Sequence, residues 1–277
     1  MRRWLFFVYG VANHLLFFGV FAYMAGFVGN VVVPKSIDSA YSGSTSKAVI
    51  IDVLLLALFA AQHSIMARPA FKRVWTRIIP EPIERSTYVF IANVVTIVLM
   101  WQWRGIDQVV WNAQLPMLRG LLWSLFTIGW LLIFLASLMI NHFDLFGTRQ
   151  VWLYLRGRAY QALPFRVPSL YKHVRHPLYI GWAIAFWATP TMSVGHLLFA
   201  GSLTAYMGLA ALVEERDLVA YFGRQYEEYR QRVPMFIPRW KRAEVVMSSP
   251  KSNSTSILEQ SDAVVRHLKP QTHSKSL

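Results

Sequence analysis

The sequence predicts an all-α integral membrane protein, a polytopic bundle with about six spanning helices. Hydrophobic residues make up 55% of the 277 residues and charged residues only 15%, compared with roughly 25% charged residues in an average soluble domain. The apolar residues stand in long runs, as spanning helices require, because hydrocarbon cannot form hydrogen bonds with backbone groups. The basic residues gather between alternate runs.

Four apolar runs in the first half of the chain are candidates for membrane crossings. They cover residues 4–33, 48–67, 87–103 and 120–141, and Asp52 is the one Asp, Glu, Lys or Arg within them. Asp52 lies near the outer end of its run, so we expect it at the membrane interface.

A helical hairpin is predicted after Pro177. The chain carries no formal charge over residues 178–213, which is too long for one helix, and Pro190 and Gly195 interrupt the stretch near its middle. We therefore expect two short crossings. Three small residues on one face of the second arm are expected to let helices approach closely: Gly201, Ala205 and Gly208.

The distribution of basic residues predicts the orientation, because cytoplasmic loops collect Lys and Arg. If the N-terminus is cytoplasmic, all but four of the 28 Lys and Arg residues fall on the cytoplasmic side, and so does the C-terminus. The four exceptions are Lys35, Lys47, Arg104 and Arg119. The net charge of +14 then reflects contact with anionic membrane lipid. A nucleic-acid partner is not expected, since the chain has no basic soluble domain.

A cytoplasmic amphipathic helix is predicted from Glu214 to Arg232. Its apolar residues recur every three or four positions: Leu218, Phe222, Tyr226, Tyr229 and Val233. Glu214 shares this face, and a buried carboxylate needs a cationic partner, which Arg175 or a cationic ligand could supply. Residues 1–240 are interpreted as one membrane-embedded domain, and the polar segment 241–277 is expected to be a disordered cytoplasmic tail.

Several polar residues stand inside or at the ends of the apolar runs, where they are costly and often functional. They are Asn13, His14, His63, His142 and Asp144. Each one alone is more often a hydrogen-bonding or interfacial group than a catalyst. Most of them lie towards the cytoplasmic side, so we expect any chemistry at the cytoplasmic mouth of the bundle. The chain has no cysteine, which excludes disulfides and thiolate metal sites, and no metal is expected.

The predicted start of the fifth helix carries Arg175, His176 and Pro177. Proline suits the first turn of a helix, and the free N–H groups and dipole at a helix start favour an anion. The alternative is an ordinary basic helix start in the headgroup layer.

These residues belong to a larger pattern. It consists of Arg175-His176-Pro177-Leu178-Tyr179-Ile180-Gly181, Glu214-Glu215, Phe222-Gly223, Tyr226, Tyr229, Pro234 and Pro238. Over residues 171–239 it resembles the C-terminal signature of the isoprenylcysteine carboxyl methyltransferase and phospholipid methyltransferase superfamily. Upstream segments are similar to the nurim family, and within it to the bacterial methanethiol S-methyltransferases. They are Gln62-His63-Ser64, the stretch from Arg68 to Ile79 with Glu84-Arg85-Ser86, and Asn141-His142-Phe143-Asp144-Leu145-Phe146-Gly147.

The resemblance implies an enzyme of the bacterial inner membrane that methylates methanethiol to dimethyl sulfide by in-line transfer from S-adenosylmethionine. It implies a cofactor site within residues 171–240, made of Tyr171, His173, Arg175, His176, Tyr179, Glu214, Glu215, Tyr226, Tyr229 and Pro238. Arg175 and the helix start would meet the carboxylate of the cofactor, the two glutamates its amine or ribose, and the aromatic residues its adenine and sulfonium. The expected partners are a small thiol and membrane lipid, with no obligate protein partner.

The nucleophile is a thiolate, and an ordinary thiol has a pKa near 8.5, so a base would help. His142 and His63 are the candidates for the base or for an orienting group, with Asp144 holding an imidazole in one tautomer.

Three alternatives remain open at this point. They are methylation of a lipid or a prenylcysteine, nicotinamide-dependent reduction on a similar scaffold, and a structural role like that of nurim. The isoprenylcysteine enzymes carry an arginine shortly before the acidic pair, and residues 205–213 contain no cation, which disfavours carboxyl methylation.

Overall fold

The computed structural model of the protein describes residues 1–238, and within this range the chain forms ten α-helices and two short strands. The helices are α1 (Arg2–Gly29), α2 (Thr45–Ala67), α3 (Pro69–Trp75), α4 (Glu81–Gln102), α5 (Pro116–Met139), α6 (His142–Leu145), α7 (Thr148–Leu155), α8 (Pro177–Trp187), α9 (Val194–Phe222) and α10 (Arg224–Arg232). The strands are β1 (Val109–Asn112) and β2 (Thr191–Ser193), and a 3₁₀ turn covers Ser169–Lys172. The predicted tail, residues 241–277, lies outside the described residues.

Five helices, α1, α2, α4, α5 and α9, have the length and the apolar composition that a membrane crossing needs. A sixth apolar helix, α8, has only 11 residues. Each of the six lies where an apolar run predicts a crossing. The protein is therefore an all-α, polytopic integral membrane protein, as predicted, with five full-length helices and one short helix.

Successive crossings run in opposite directions, so alternate connecting segments meet at the same end of the bundle. The two ends therefore differ in composition. The end at which α1 begins also carries α3, α6, α7 and α10. We call it the basic end, because all but four of the described Lys and Arg residues lie there. The four at the opposite end are the ones that the charge pattern predicts: Lys35, Lys47, Arg104 and Arg119.

The second arm of the hairpin is longer than the sequence indicates. Helix α9 continues past Val213, the predicted end, as far as Phe222. Gly223, whose φ of 57° suits glycine, separates it from α10. The amphipathic helix thus begins at Arg224 rather than at Glu214. A continuous helix accommodates the charged stretch because its side chains pair with neighbouring elements, as described below.

The apolar core includes a group of aromatic rings towards the opposite end. Phe27 of α1, Trp103 after α4 and Phe199 of α9 pack edge to face, with ring centroids 5.5 to 6.4 Å apart. All three side chains are almost completely buried. Trp103 Nε1 donates to the carbonyl of Ile37 at 3.1 Å, so the loop after α1 closes over this core.

A two-stranded antiparallel sheet also lies at the opposite end, and the sequence does not predict it. Its strands have four and three residues, too few to produce a clear alternating pattern. The backbone N–H of Ala113 extends the pairing by donating to Pro190 O at 2.9 Å. Asp52 lies at this end as expected, and its side chain is fully buried within the protein. Its Oδ1 accepts a 2.9 Å hydrogen bond from the backbone N–H of Arg104.

Helices α5 and α8 pack closely through two glycines. A Cβ atom on Gly129 would lie 2.6 Å from the backbone of α8, and one on Gly181 would lie 2.9 Å from the backbone of α5. The close approach predicted on α9 is wrong, because a Cβ atom on Gly201 or Gly208 would meet nothing within 4 Å. Spacing of small residues identifies a face but not whether a helix packs against it.

We expect Gly129→Val to lower the free energy of unfolding by about 1–3 kcal/mol, since the added side chain forces α5 and α8 apart. Thermal unfolding in detergent, followed by tryptophan fluorescence, measures the change. Gly201→Val is the matched control, and its midpoint should stay close to that of the wild type. Equal effects of the two substitutions would contradict the close contact.

Candidate functional site

A buried ion pair fastens the start of α8 to α9. Arg175 donates from Nε to Glu215 Oε1 at 2.6 Å and from Nη2 to Oε2 at 3.0 Å. His176 Nε2 lies 3.1 Å from the same Oε1 atom. The side chains of Arg175 and Glu215 are only 9% and 5% exposed. A carboxylate can be buried to this degree because it is paired and hydrogen-bonded.

The remaining contacts of this pair bind the segment before Pro238. Arg175 Nη1 and the backbone N–H groups of Arg175 and His176 all donate to it. Their acceptors are the carbonyls of Arg230, Val233, Pro234 and Met235, with three of the distances between 2.9 and 3.2 Å. The sequence predicts an anion site at this helix start. In the structure, most of the donors that would form that site serve internal contacts.

Glu214 and Glu215 are neighbours on α9, so their side chains point about 100° apart. The sequence predicts Glu214 on the buried face, with Arg175 or a cationic ligand as its partner. The buried position and the pairing with Arg175 belong to Glu215 instead. The side chain of Glu214 is 46% exposed. Its Oε2 accepts a 2.9 Å hydrogen bond from Tyr179 Oη and lies 3.9 Å from His176 Nδ1.

Tyrosine hydroxyls surround the Glu214 carboxylate. Five tyrosines interact with it electrostatically, and one of them, Tyr226, belongs to α10. We call the other four the tyrosine cluster: Tyr88, Tyr171, Tyr179 and Tyr206. Burial and the Glu214 charge raise the pKa of Tyr171 above its ordinary value. Sequence reasoning missed Tyr88 and Tyr206, because they come from α4 and the middle of α9, and no local pattern connects them to the C-terminal motif.

Tyr226 and Tyr229 of α10 pack in a separate buried group with aromatic residues of neighbouring elements. Tyr229 Oη donates to the carbonyl of Tyr171 at 2.7 Å. Burial raises the pKa of both α10 hydroxyls. His173 and Pro238, the other residues of the predicted cofactor site, are exposed, and neither takes part in the described contacts of the ion pair.

His142 belongs to a chain of hydrogen bonds that links α1 to α5 and α7. Its Nε2 lies 2.8 Å from His14 Nε2, and its Nδ1 lies 2.9 Å from Ser137 Oγ. His14 Nδ1 lies 2.8 Å from Thr148 Oγ1. Ser137 Oγ donates to the carbonyl of Phe134 at 2.7 Å, so it accepts from His142. Both ring nitrogens of His142 are therefore engaged, with a proton on Nδ1.

Asp144 does not orient an imidazole, contrary to the prediction. Its carboxylate accepts from Arg149 Nη1 at 2.8 Å and from Tyr160 Oη at 3.2 Å. Side chains two positions apart on a helix point in nearly opposite directions, which separates Asp144 from His142. Burial and the neighbouring His14 lower the pKa of His142 to about 4.

His63 lies in α2 beside the tyrosine cluster. Its ring stacks on Phe59 with 5.4 Å between centroids, and it lies 5.5 Å from the ring of Tyr88. The next residue, Ser64, shares a 3.0 Å hydrogen bond with Tyr206. His63 Nδ1 is buried and has no hydrogen-bond partner among the described residues. Of the two predicted bases, His63 is thus the one with an available nitrogen.

A polar pocket of about 570 Å³ opens at the basic end between α3, α4, α6 and α7. Charged side chains of both signs line it: Lys72, Glu81, Glu84, Arg85, Asp144 and Arg158. Arg85 also borders the tyrosine cluster, because its guanidinium lies 4.9 Å from the centre of the Tyr88 ring. The sequence gives Arg85 no role, although it stands in one of the segments that carry the family resemblance.

Glu215→Ala should destabilise the protein by about 3–5 kcal/mol, because it leaves Arg175 buried without its counter-ion. Glu214→Ala removes a half-exposed carboxylate from the next position of the same helix and should cost much less. Thermal unfolding of the two variants in the same detergent makes the comparison. Similar losses of stability in the two variants would contradict the assignment of Glu215 as the buried counter-ion.

The lowered pKa of His142 predicts a pH dependence of stability. In the unfolded chain the imidazole has its ordinary pKa near 6.5, so the unfolded chain binds the proton first as the pH falls. His142→Asn removes this titration. The gap in unfolding midpoint between wild type and variant should therefore narrow from pH 6.5 to pH 4. A gap that stays constant or widens over this range would contradict the assignment.

Comparisons with known proteins identify the family of the chain. The family model described as NnrU protein matches residues 52–242. Methanethiol S-methyltransferase of Mycobacterium tuberculosis (strain ATCC 25618 / H37Rv) is 49% identical over 238 residues, which cover 86% of this chain and 98% of that protein. Methanethiol S-methyltransferase of Crocosphaera subtropica is 47% identical over 231 residues, covering 83% and 91%.

A more distant relative is nurim of Xenopus laevis, which is 32% identical over 189 residues, or 64% of this chain and 65% of that protein. No solved structure matches the chain. The two bacterial relatives are similar to the chain over nearly their whole length, and both carry the name of the same enzyme. The chain therefore belongs to the NnrU family, among the methyltransferases whose curated members are named methanethiol S-methyltransferase.

Proposed function

We propose that the protein transfers the methyl group of S-adenosylmethionine to methanethiol, giving dimethyl sulfide, at the tyrosine cluster of the basic end. The names of the bacterial relatives support the thiol substrate. The observation that carries the site is the half-exposed Glu214 carboxylate, which lies among four tyrosines next to the start of α8.

The chemistry of this group suits a sulfonium donor. Aromatic faces attract cations by their quadrupole, and an uncompensated carboxylate favours a positive charge close to it. Glu215 cannot serve in the same way, because it is buried in an ion pair with Arg175. The residues present therefore fit a cationic methyl donor, with Glu214 and Tyr179 as its first contacts.

We place the basic end in the cytoplasm of a bacterial cell, with the protein in the inner membrane. Basic segments at the ends of crossings remain on the cytoplasmic side, and a cytoplasmic site gives access to a soluble, charged donor. Both α1 and α10 meet this end, so the orientation puts the N-terminus and the C-terminal segment in the cytoplasm.

In the proposed step, the sulfur of the thiol attacks the methyl carbon in line with the bond to the sulfonium. The new carbon–sulfur bond forms as the old one breaks. The electron pair of the broken bond stays on the donor sulfur, so the sulfonium becomes a neutral thioether. The proton of the thiol goes to the imidazole of His63, whose Nδ1 has no hydrogen-bond partner among the described residues. Alignment of the two partners supplies much of the rate.

His142 receives a different role in this proposal. Its two nitrogens bond to His14 and Ser137, so it joins α1 to the end of α5 and positions the surrounding helices. Asp144 borders the polar pocket and is neutralised by Arg149. We therefore assign neither residue to proton transfer.

We expect His63→Asn to reduce the rate of dimethyl sulfide formation by about 100-fold at pH 7, within the range for loss of a general base. The deficit should shrink towards pH 9, because the thiol then ionises without assistance. Headspace gas chromatography of the protein in proteoliposomes, supplied with both substrates, measures the rate from pH 6 to pH 9.

His142→Asn serves as the comparison in this experiment. It should reduce the unfolding midpoint but leave the shape of the pH profile unchanged. An unchanged profile for His63→Asn would exclude His63 as the base. If the wild type forms no dimethyl sulfide but binds S-adenosylmethionine, the acceptor in the proposal is wrong.

A further inference from the structure

We propose that Arg85, assisted by Lys72, binds the carboxylate of the methyl donor. This inference rests on the proposed function, since it assigns a partner to one end of the proposed donor. An aminocarboxylate needs a cation in its site, and the arginine in the C-terminal motif does not provide one.

Arg175 is committed to internal contacts. Three of its side-chain nitrogens donate to Glu215 or to the carbonyls of residues 230 and 233. The ion pair is almost completely buried, and opening it would leave Glu215 without a counter-ion at a cost of several kcal/mol. A donor carboxylate would have to displace Glu215, whereas another cation nearby could receive it without this loss.

Arg85 offers such a cation. Its Nε donates to the carbonyl of Leu145 at 2.7 Å, which fixes the plane of the guanidinium. Nη1 and Nη2 have no hydrogen-bond partner among the described residues, and Arg85 forms no ion pair there. The side chain lines the polar pocket and is only partly exposed. A fixed guanidinium with free terminal N–H groups is suited to two-point binding of a carboxylate.

Lys72 of α3 lines the same pocket and adds a second positive charge. It has no ion pair with a carboxylate among the described residues. Burial and the charge of Arg85 lower the pKa of Lys72, and Glu84 opposes the shift. Two cations in a partly buried pocket repel each other, and an anion between them relieves the repulsion.

Tyr88 of the proposed methyl-transfer site contacts Arg85, which lines this pocket. Its ring lies under the Arg85 guanidinium, and both Arg85 and Glu214 act electrostatically on its hydroxyl. Tyr88 thus belongs to the tyrosine cluster and contacts the Arg85 guanidinium with its ring. In this proposal, the donor places its carboxylate at Arg85 and its sulfonium, a few bonds away, beside the tyrosine cluster.

The other charges of the pocket are compatible with an aminocarboxylate. Asp144 is neutralised by Arg149 and does not compete for Arg85. Glu81 and Glu84 also line the pocket, and they are available to the ammonium group beside the carboxylate. The arrangement therefore favours a zwitterion over a simple anion.

The test compares two ligands that differ in the aminocarboxylate. S-adenosylhomocysteine carries it, whereas 5′-methylthioadenosine keeps the adenosine and the thioether but lacks it. Isothermal titration of the full-length protein in detergent gives both affinities. A charge-assisted contact contributes about 1.5–3 kcal/mol, so we expect the wild type to prefer S-adenosylhomocysteine by roughly 10- to 100-fold.

Arg85→Gln should abolish most of this preference while leaving the affinity for 5′-methylthioadenosine within about twofold. Retained binding of that ligand also shows that the variant is folded. Arg77→Gln, an exposed arginine at the same end, removes the same charge and should keep the wild-type ratio. Lys72→Gln, which breaks no described hydrogen bond, should reduce the ratio about threefold or more.

The outcomes separate the two proposals. If the preference is unchanged in both Arg85→Gln and Lys72→Gln, the inference is overturned while the donor site stands. If Arg85→Gln binds neither ligand, the ratio of the two affinities in Lys72→Gln decides. A ratio reduced about threefold or more supports the inference, and an unchanged ratio overturns it. If the wild type binds neither ligand, the proposed function itself fails.

Discussion

The buried pair of Arg175 and Glu215 is the contact on which the basic end of the bundle depends. It joins α8 to α9 and, through backbone carbonyls, draws the segment after α10 beneath both helices. Because burial of the two charges is tolerated only while both are present, the position of the whole C-terminal motif follows from it. The exposure of Glu214 is a consequence, since the helix turns that carboxylate away from the pair.

The sequence predicts the crossings and the side on which the polar residues gather, because both follow from composition that is local in the chain. It does not predict which side chains face inward when one helix continues from an apolar stretch into a charged one, as α9 does after Val213. For that reason, periodicity assigns to Glu214 the buried position that Glu215 occupies. Nor can periodicity reveal a contact such as His14 with His142, which are 128 positions apart. For the candidate site, the sequence proposes residues but does not show which of them already form hydrogen bonds or ion pairs with other protein groups.

The C-terminal motif and the groups that we propose to face the ligand therefore overlap only in part. Three residues of the motif hold the elements together: Arg175, His176 and Glu215. The proposed ligand-facing groups are Glu214 of the same motif and four residues outside it: Tyr88, Tyr206, His63 and Arg85. Residues of the second set come from α2, α4 and α9, so the region around Glu214 exists only when the N-terminal helices pack on the hairpin. The segments that resemble the narrower family supply His63 and Arg85, while the wider superfamily signature supplies Glu214 and the scaffold.

The short α8 makes the fifth crossing in chain order discontinuous. Eleven residues extend about 16 Å as a helix, roughly half of a hydrocarbon core of about 30 Å. Trp187 at its end bonds to Thr204, well inside α9, and the chain completes the path in extended form. Such backbone persists at membrane depth only when protein satisfies its polar groups. Pairing of β2 with β1 does so, which makes the small sheet a substitute for the missing helical turns.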